Sequence, residues 1–331
     1  LRPERARLQA SVRVADAARV TAGARPMPEA MTETEYSFSG TGGESRWGVA
    51  LGTLFTMELG GKRGARLNRA NAGLLVAVTQ AEEEAWEVRW RVRQTMRDQD
   101  RAEALWLASA GESTLMDSVF ALIRTRYSEG TVSRSELARM EADRQEGARE
   151  IAARRREFDT SRAALAERIG IPLDELDRLT LAPDSVAHCA DAPARDSLEL
   201  VALDARRDLR RVLAEYQLAE ADLRVEVANS WPNLAFGPGL FFDHGVGKWT
   251  VALGLPSLPL NRNRGPILEA GARRELAARR VAEVQEQVLG EVAVAASACR
   301  FAADEMAAID LDGARERVRL ADAAYQRGEV G

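Results

Sequence analysis

Trp47-Gly48-Val49-Ala50-Leu51-Gly52-Thr53-Leu54-Phe55-Thr56-Met57 alternates large and small side chains with a period of two, the pattern of a β-strand with two unlike faces. One parity carries Trp47, Val49, Leu51, Thr53, Phe55 and Met57; Gly48, Ala50, Gly52, Thr56 and then Glu58 are among the other. The same alternation returns at Trp249, Val251, Leu253 and Leu255, set against Thr250, Ala252, Gly254 and Pro256. Looser strand-like partners precede each run, roughly Thr32 to Gly42 and Asn233 to Phe242. Each strand is about as long as the ~9 to 11 residues that a tilted strand needs to cross a bilayer.

Two environments suit such strands. A soluble sheet buries its apolar parity under a cover, whereas a barrel turns that parity to lipid and the small, polar parity to a water-filled lumen. The adjoining helices have apolar stripes that face other helices, which leaves a soluble sheet without a convenient cover. That argument favours lipid for Trp47, Val49, Leu51, Phe55, Trp249, Val251, Leu253 and Leu255. Trp47, Trp249 and Trp231, placed at strand ends, resemble an interfacial aromatic belt.

Outward from the strands, the chain repeats itself. Arg25-Pro26-Met27-Pro28 is answered by Ser230-Trp231-Pro232-Asn233, each closing a helix and opening a strand. Leu59-Gly60-Gly61-Lys62-Arg63-Gly64 is answered by Leu260-Asn261-Arg262-Asn263-Arg264-Gly265, each ending a strand and opening a helix. Tyr127-Ser128-Glu129-Gly130-Thr131-Val132 is answered by Tyr325-Gln326-Arg327-Gly328-Glu329-Val330. The spacing stays at about 200 residues throughout, the signature of a duplication rather than of single chance matches. The expected organisation is a first repeat over residues 1–169, a linker over 170–195 rich in Pro and Asp, and a second repeat over 196–331. The last anchor stops at Gly331, in the middle of a pattern that continues in its earlier copy.

The helices are long. Leu198, Ala202, Ala205, Leu209, Val212, Tyr216, Ala219 and Leu223 step by four and three, a heptad seam for left-handed supercoiling. A comparable seam follows the first strand pair, from Leu67 through Leu74, Ala81 and Val88 to Met96, in a helix expected from Gly64 to about Leu107. Another follows the second pair at Val281, Val284, Val288 and Val292. Tyr127 to Ser133 reads as a tight turn between antiparallel helices. The fold class is therefore mainly α with a small β part, built from a duplicated unit of long helices and a β-hairpin.

Composition narrows the function. With 46 basic residues against 51 acidic, no basic face argues for nucleic acid. No run of ~18 apolar residues marks a membrane-spanning helix. Cys189 and Cys299 lack CxxC spacing, and His188 beside Cys189 falls short of a metal ligand set. Gly60-Gly61-Lys62-Arg63-Gly64 fails the phosphate-loop pattern, because Arg63 stands where Ser or Thr must follow the lysine. It reads as a turn whose basic residues suit a membrane boundary. Asp310-Leu311-Asp312-Gly313 lacks the later ligands of a calcium loop and reads as a helix interruption. With His188 and His244 the chain's two histidines, no Ser-His-Asp set assembles, so no catalysis, cofactor or metal is expected.

The helix-to-strand junctions, the two strand-to-helix junctions and the hairpin turns at Tyr127-x-x-Gly130 and Tyr325-x-x-Gly328 together resemble the TolC family of outer-membrane efflux proteins over nearly the whole chain. The run Asn261 to Ile267 is most similar to the heavy-metal and cation efflux branch. The resemblance implies a homotrimer in which each chain lends four strands to a shared twelve-stranded transmembrane β-barrel and long helices to an α-helical periplasmic barrel. Four strands cannot close a barrel alone, since single-chain examples begin at about eight, so self-association is also the physical expectation. Strand number alone allows a dimer; the family favours three copies.

The resemblance further implies that the linker lies at the tube's equator. It places Tyr127, Gly130, Thr131, Val132 and Ser133, with Tyr325, Gly328 and Val330, at a periplasmic tip that docks an adaptor protein. The other implied partners are outer-membrane lipid and an inner-membrane pump of the resistance-nodulation-division type. Transport through such a duct is passive, and its gate is expected beyond Gly331. The rival reading is a soluble or periplasmic coiled-coil adaptor, in which the strand pairs form a small β-domain packed against helical hairpins.

Overall fold

The computed structural model describes residues 2–38, 46–179, 193–243, 246–254 and 261–326. Along the chain run α1 (Arg2–Gly23), β1 (Glu29–Tyr36), β2 (Trp47–Met57), α2 (Lys62–Ser128), α3 (Arg134–Ile169) and α4 (Leu173–Leu176). They are followed by α5 (Arg195–Ala205), α6 (Arg207–Asn229), β3 (Leu234–Asp243), β4 (Val246–Gly254), α7 (Arg264–Ala308) and α8 (Leu311–Gln326). The chain divides into two compact units, one of Leu1–Arg7 with Glu84–Val186, the other of Leu8–Glu83 with Ala187–Gly331.

The first unit is a helical hairpin. Helix α2 runs as one element of 67 residues through Ser128, well beyond the expected end near Leu107, because it contains no proline and its glycines are isolated. Its distal part lies antiparallel to α3, and the contacts move in opposite directions along the two helices. Arg144 bonds Asp117 at 2.7 Å and lies over Phe120; Trp106 stacks on Phe158 at 5.4 Å with Arg155 over its face. Farther along, Val92 and Met96 pack against a core of Leu165, Ala166 and Leu176. Leu176 reaches that core because Gly170, at φ 78°, ends α3 in a left-handed cap and turns the chain back into α4. Part of the expected linker is thus folded onto the hairpin.

The second unit holds the four strands and the remaining helices. Here α6 and α5 both pack on α7, with Leu209, Val212, Ala221, Ala270 and Val288 buried. The small residues in that set let the helices approach closely. The heptad seam from Leu198 to Leu223 is not one helix: the backbone leaves helical geometry at Arg206, with φ −63° and ψ 128°. Side chains compensate for the break. Arg206 bonds Asp208 at 2.6 Å and Glu291 of α7 at 2.7 Å, and the Arg210 guanidinium donates to the Asp204 carbonyl. The Arg206 hydrogen bond holds the Asp208 carboxyl below its ordinary range. A second break separates α7 from α8. Asp310 Oδ1 accepts from the Gly313 N–H at 2.8 Å, so this carboxylate caps the start of α8.

The strand-to-helix junctions carry a dense set of bonds that sequence reading did not anticipate. Gly60 and Gly61 take φ values of 71° and 72°, which turn the chain from β2 into α2. Arg63 then donates to the Gly23 carbonyl at 2.7 Å and Arg66 to the Ala24 carbonyl at 3.2 Å, tying the end of α1 to the start of α2. Arg66 also grips the Glu58 carboxylate through both oxygens, and Lys62 bonds Asn233 just before β3. The second junction solves the same problem with an amide: Asn263 donates to the Glu226 carbonyl and side chain, both at 2.8 Å. The basic residues of Lys62 to Arg66 therefore close helix ends.

Gly60 and Gly61 form a matched pair for testing this junction. A Cβ at Gly60 would lie 2.5 Å from Trp231 Cδ1 and 2.7 Å from its Cβ, whereas one at Gly61 meets nothing within 4 Å. Gly61→Ala is expected to cost about 1 kcal/mol of left-handed backbone strain. Gly60→Ala is expected to cost about 2 to 4 kcal/mol, the strain plus overpacking against the indole. The unfolding temperature in detergent measures the difference, and equal losses would exclude the Trp231 contact as its cause. Glu58 gives a pH signature. The hydrogen bond from Arg66 holds its carboxyl below the ordinary 4.5. The pair's contribution is complete above that ordinary value and disappears as pH falls through the lowered one. Glu58→Gln is expected to cost about 1 kcal/mol at neutral pH and to converge with the parent protein in acid.

Candidate functional site

The strands form one antiparallel sheet in the order β1-β2-β3-β4. Its register fixes which residues share a face. Thr34 opposes Val49, which opposes Phe242, which opposes Gly247; Thr32, Leu51, Leu240 and Trp249 form the next row. One face therefore carries Trp47, Val49, Leu51, Phe55 and Met57 of β2, the even residues Leu234 to Phe242 of β3, and Trp249, Val251 and Leu253 of β4. Every large β2 and β4 residue read from sequence as lipid-facing falls on it, apart from Leu255, which lies outside the described residues.

Among the described residues, that face is open. Trp249, Val251 and Leu253 are 83%, 74% and 73% exposed, and Trp47 and Leu51 more than half. Among the described residues, the strands make their substantial contacts with one another and no helix covers the sheet. The rival arrangement, strand pairs packed against helical hairpins, would bury these side chains. Aromatic contacts cluster near the β1–β2 turn, where Tyr36 packs on Trp47 at 4.9 Å, and lower down, where Phe55 stacks on Phe236 at 5.6 Å. Trp249 corrects one expectation. Strand β4 begins at Val246, so this residue sits inside the strand opposite Leu240 instead of at its end. Trp231 precedes β3 and packs over Gly60.

The opposite face is mostly small or charged: it carries Gly48, Ala50, Gly52 and Thr56 of β2, Ala235, Gly237 and Gly239 of β3 and Thr250 and Ala252 of β4, with Met31, Leu54, Phe241 and Val246 as its larger apolar members. Backbone proximity demands the smallest residues on β3: a Cβ at Gly237 would fall 1.9 Å from the Thr53 carbonyl oxygen, and one at Gly239 would fall 2.7 Å from Thr250 Oγ1. Between these glycines, Pro238 stands opposite Val251, where its missing N–H removes one donor from the ladder. On β1 the same face presents Glu29, Glu33 and Glu35, a feature that the sequence reading passed over because β1 alternates acid with Thr instead of with large apolar residues. The sheet's two outer strands, β1 and β4, are not neighbours, so each leaves one edge without a strand from the described chain.

The turn predicted at Tyr127 to Ser133 belongs to the other unit and is built almost wholly from backbone. Gly130, at φ 76°, donates to the Tyr127 carbonyl and Thr131 N–H to the Arg126 carbonyl, both at 3.0 Å. Those two bonds make a Schellman ending for α2. Ser133 Oγ then accepts from the Glu136 N–H at 3.2 Å and caps α3. The turn consequently leaves Tyr127, Gly130 and Thr131 exposed and Val132 half-buried. In the second copy, Tyr325 falls in the last turn of α8, while Gly328 and Val330 lie outside the described residues.

The remaining candidates lie elsewhere in the chain. Among the described residues, no group of three or more His, Cys, Asp and Glu is poised to hold a metal, and no helix is long and apolar enough to cross a membrane. His188, Cys189 and His244 lie outside the described residues. Cys299 of α7 is disulfide-bonded. A groove of about 400 Å³ between α2 and α6 is lined by Asn71, Tyr216, Gln217, Glu220 and Arg224, and Glu220 is engaged by Arg224 and Arg274.

No family model matches the chain, and neither does any curated protein. Solved structures do. CusC, described for its folding and transmembrane channel formation, superposes with a TM-score of 0.74 at 18% identity, covering 99% of this chain and 80% of CusC. The outer membrane protein VceC of Vibrio cholerae gives 0.73 at 17% identity, covering 98% and 83%. The CmeC outer membrane channel of Campylobacter jejuni gives 0.73 at 14%, covering 99% and 75%. This chain has the fold of the TolC-type outer-membrane channels. The likeness is one of fold, and it extends over the helices and the sheet alike.

The close approach of β2 and β3 yields a test of the sheet itself. Gly237→Ala is expected to disrupt pairing around Thr53 and reduce the yield of folded protein sharply, whereas Ala235→Gly is expected to be mild. Strand content by circular dichroism in detergent distinguishes them, and a normal spectrum for Gly237→Ala would contradict the register.

Proposed function

We propose that this chain is the subunit of an outer-membrane efflux channel in a Gram-negative bacterium. It forms a passive exit duct for substrates, metal cations or small toxic compounds, delivered by an inner-membrane pump of the resistance-nodulation-division type. The observation that carries this reading is the open apolar face of a sheet whose two outer edges have no further strand among the described residues. In water such a face favours aggregation; in a bilayer it is solvated by lipid. Hydrocarbon tolerates no unpaired backbone edge, so the edges must meet those of further copies. Three copies of four strands give a twelve-stranded barrel, and the long helices supply a periplasmic tube.

In this reading Trp47, Val49, Leu51, Phe55, Trp249, Val251, Leu253 and Leu255 face lipid. The Gly130 hairpin, with Tyr127, Thr131, Val132 and Ser133, docks a periplasmic adaptor, and so does its counterpart around Tyr325, Gly328 and Val330. Residues 1–169 and 196–331 act as two structural repeats joined by an equatorial linker over 170–195. The duct itself performs no reaction, since a passive opening needs no catalytic group.

Fractionation of cells expressing the full-length protein tests this. Recovery in the outer membrane as a heat-sensitive oligomer is expected, and a soluble monomer would refute the proposal. Leu51→Arg or Val251→Arg is expected to cost about 2 to 4 kcal/mol near the bilayer midplane and to impair assembly, with Thr250→Arg milder.

A further inference from the structure

We propose that copies of this chain join through an ionic latch on the sheet's small-residue face, with Lys248 of β4 set against the glutamates on β1 of the next copy. The inference rests on the channel reading and names the contact that closes it. Lys248 is the one basic residue in the four strands, and it lies exposed on an outer strand. The other outer strand, β1, carries Glu29, Glu33 and Glu35 on the same face of the sheet. Opposite charges thus occupy the two edges that have no strand beside them among the described residues.

Parity restricts how those edges can meet. On the apolar face, β4 contributes odd residues and β1 even ones. For that face to continue from copy to copy, an even residue of β4 must oppose an odd residue of β1. Lys248 then stands opposite Glu29, Met31, Glu33 or Glu35. If Met31 is opposite, Glu29 and Glu33 are its diagonal neighbours, within reach of a long side chain. A glutamate therefore meets Lys248 at every register that keeps the faces continuous and sets Lys248 opposite a β1 residue.

The same charges select the symmetry. Pairing β1 with β1 would set glutamates against glutamates, which destabilises a two-fold dimer. Pairing β4 with β1 is head-to-tail, and a head-to-tail contact that closes produces a ring. Edge charges also discourage random strand addition, so Lys248 alone would be an ordinary protective residue. The acidic row on the opposite edge turns that protection into a choice of partner.

Cysteine pairs in the full-length protein, recovered from the outer membrane, provide the test. Lys248→Cys is combined in one chain with Glu29→Cys, Met31→Cys, Glu33→Cys or Glu35→Cys, all on one face, and with Thr32→Cys or Thr34→Cys as pairs on opposite faces. Mild oxidation is expected to link neighbouring copies in at least one same-face pair and in neither threonine-position pair. Lys248→Glu is expected to reduce the heat-resistant oligomer several-fold, and adding Glu33→Lys or Glu35→Lys is expected to restore it. An oligomeric parent protein with no same-face cross-link, or equal linking through the threonine positions, overturns the latch and leaves the channel standing. Cross-linking without charge rescue overturns its ionic character. A parent protein that forms no membrane oligomer overturns the channel and the latch together.

Discussion

Backbone hydrogen bonding at the sheet's edges is the constraint that dominates this molecule. Four antiparallel strands satisfy one another through β1-β2-β3-β4, but β1 and β4 each leave a row of N–H and C=O groups on the outside. In water those groups could bond solvent, and the apolar face could not. In hydrocarbon the apolar face is satisfied and the edges are not. In the proposed channel, closure with other copies meets both requirements, so the feature that would expose apolar surface to water suits an assembly in a membrane.

The helical parts obey a different balance. Their cores are thin and built largely from small residues, such as Ala221, Ala228 and Ala270 between α6 and α7, with few large side chains fully buried. Ion pairs supplement them. Arg211 joins Glu83 of α2 to Glu215 on its own helix, and Arg206 links the start of α6 to Glu291 of α7. Individually, exposed pairs of this kind contribute little. Where they bridge helices or a broken helix, as at Arg206, they fix register, which a core of alanines specifies weakly. Exposed apolar residues on the helices, including Leu276, Val294 and Phe301 of α7, are the surfaces that an assembly would cover.

The sequence was most legible where periodicity is strict. The alternation from Trp47 to Met57 matched β2 at both ends, because period two survives any detail of packing. The turn at Gly130 was legible for a similar reason: a left-handed cap and a Ser-x-x-Glu box are local devices. Interruptions were harder. The Leu198 to Leu223 seam keeps its heptad spacing through the break at Arg206, since that break is stabilised by Glu291, distant in sequence. The true start of β4 at Val246 was missed because Lys248 and Gly247 obscure the alternation that begins clearly at Trp249. The Gly60 contact with Trp231, and the clasp of Arg63 and Arg66 on the end of α1, join parts of the chain whose adjacency no local pattern announces.

The most direct measurement is a thiol-accessibility scan of β4 in the native outer membrane, one cysteine at a time from Lys248 to Leu253, with a charged, water-soluble maleimide. The account predicts an alternating result, with positions 248, 250 and 252 labelled from the lumen and positions 249, 251 and 253 protected by lipid. Uniform labelling, or protection of the even positions, would contradict it.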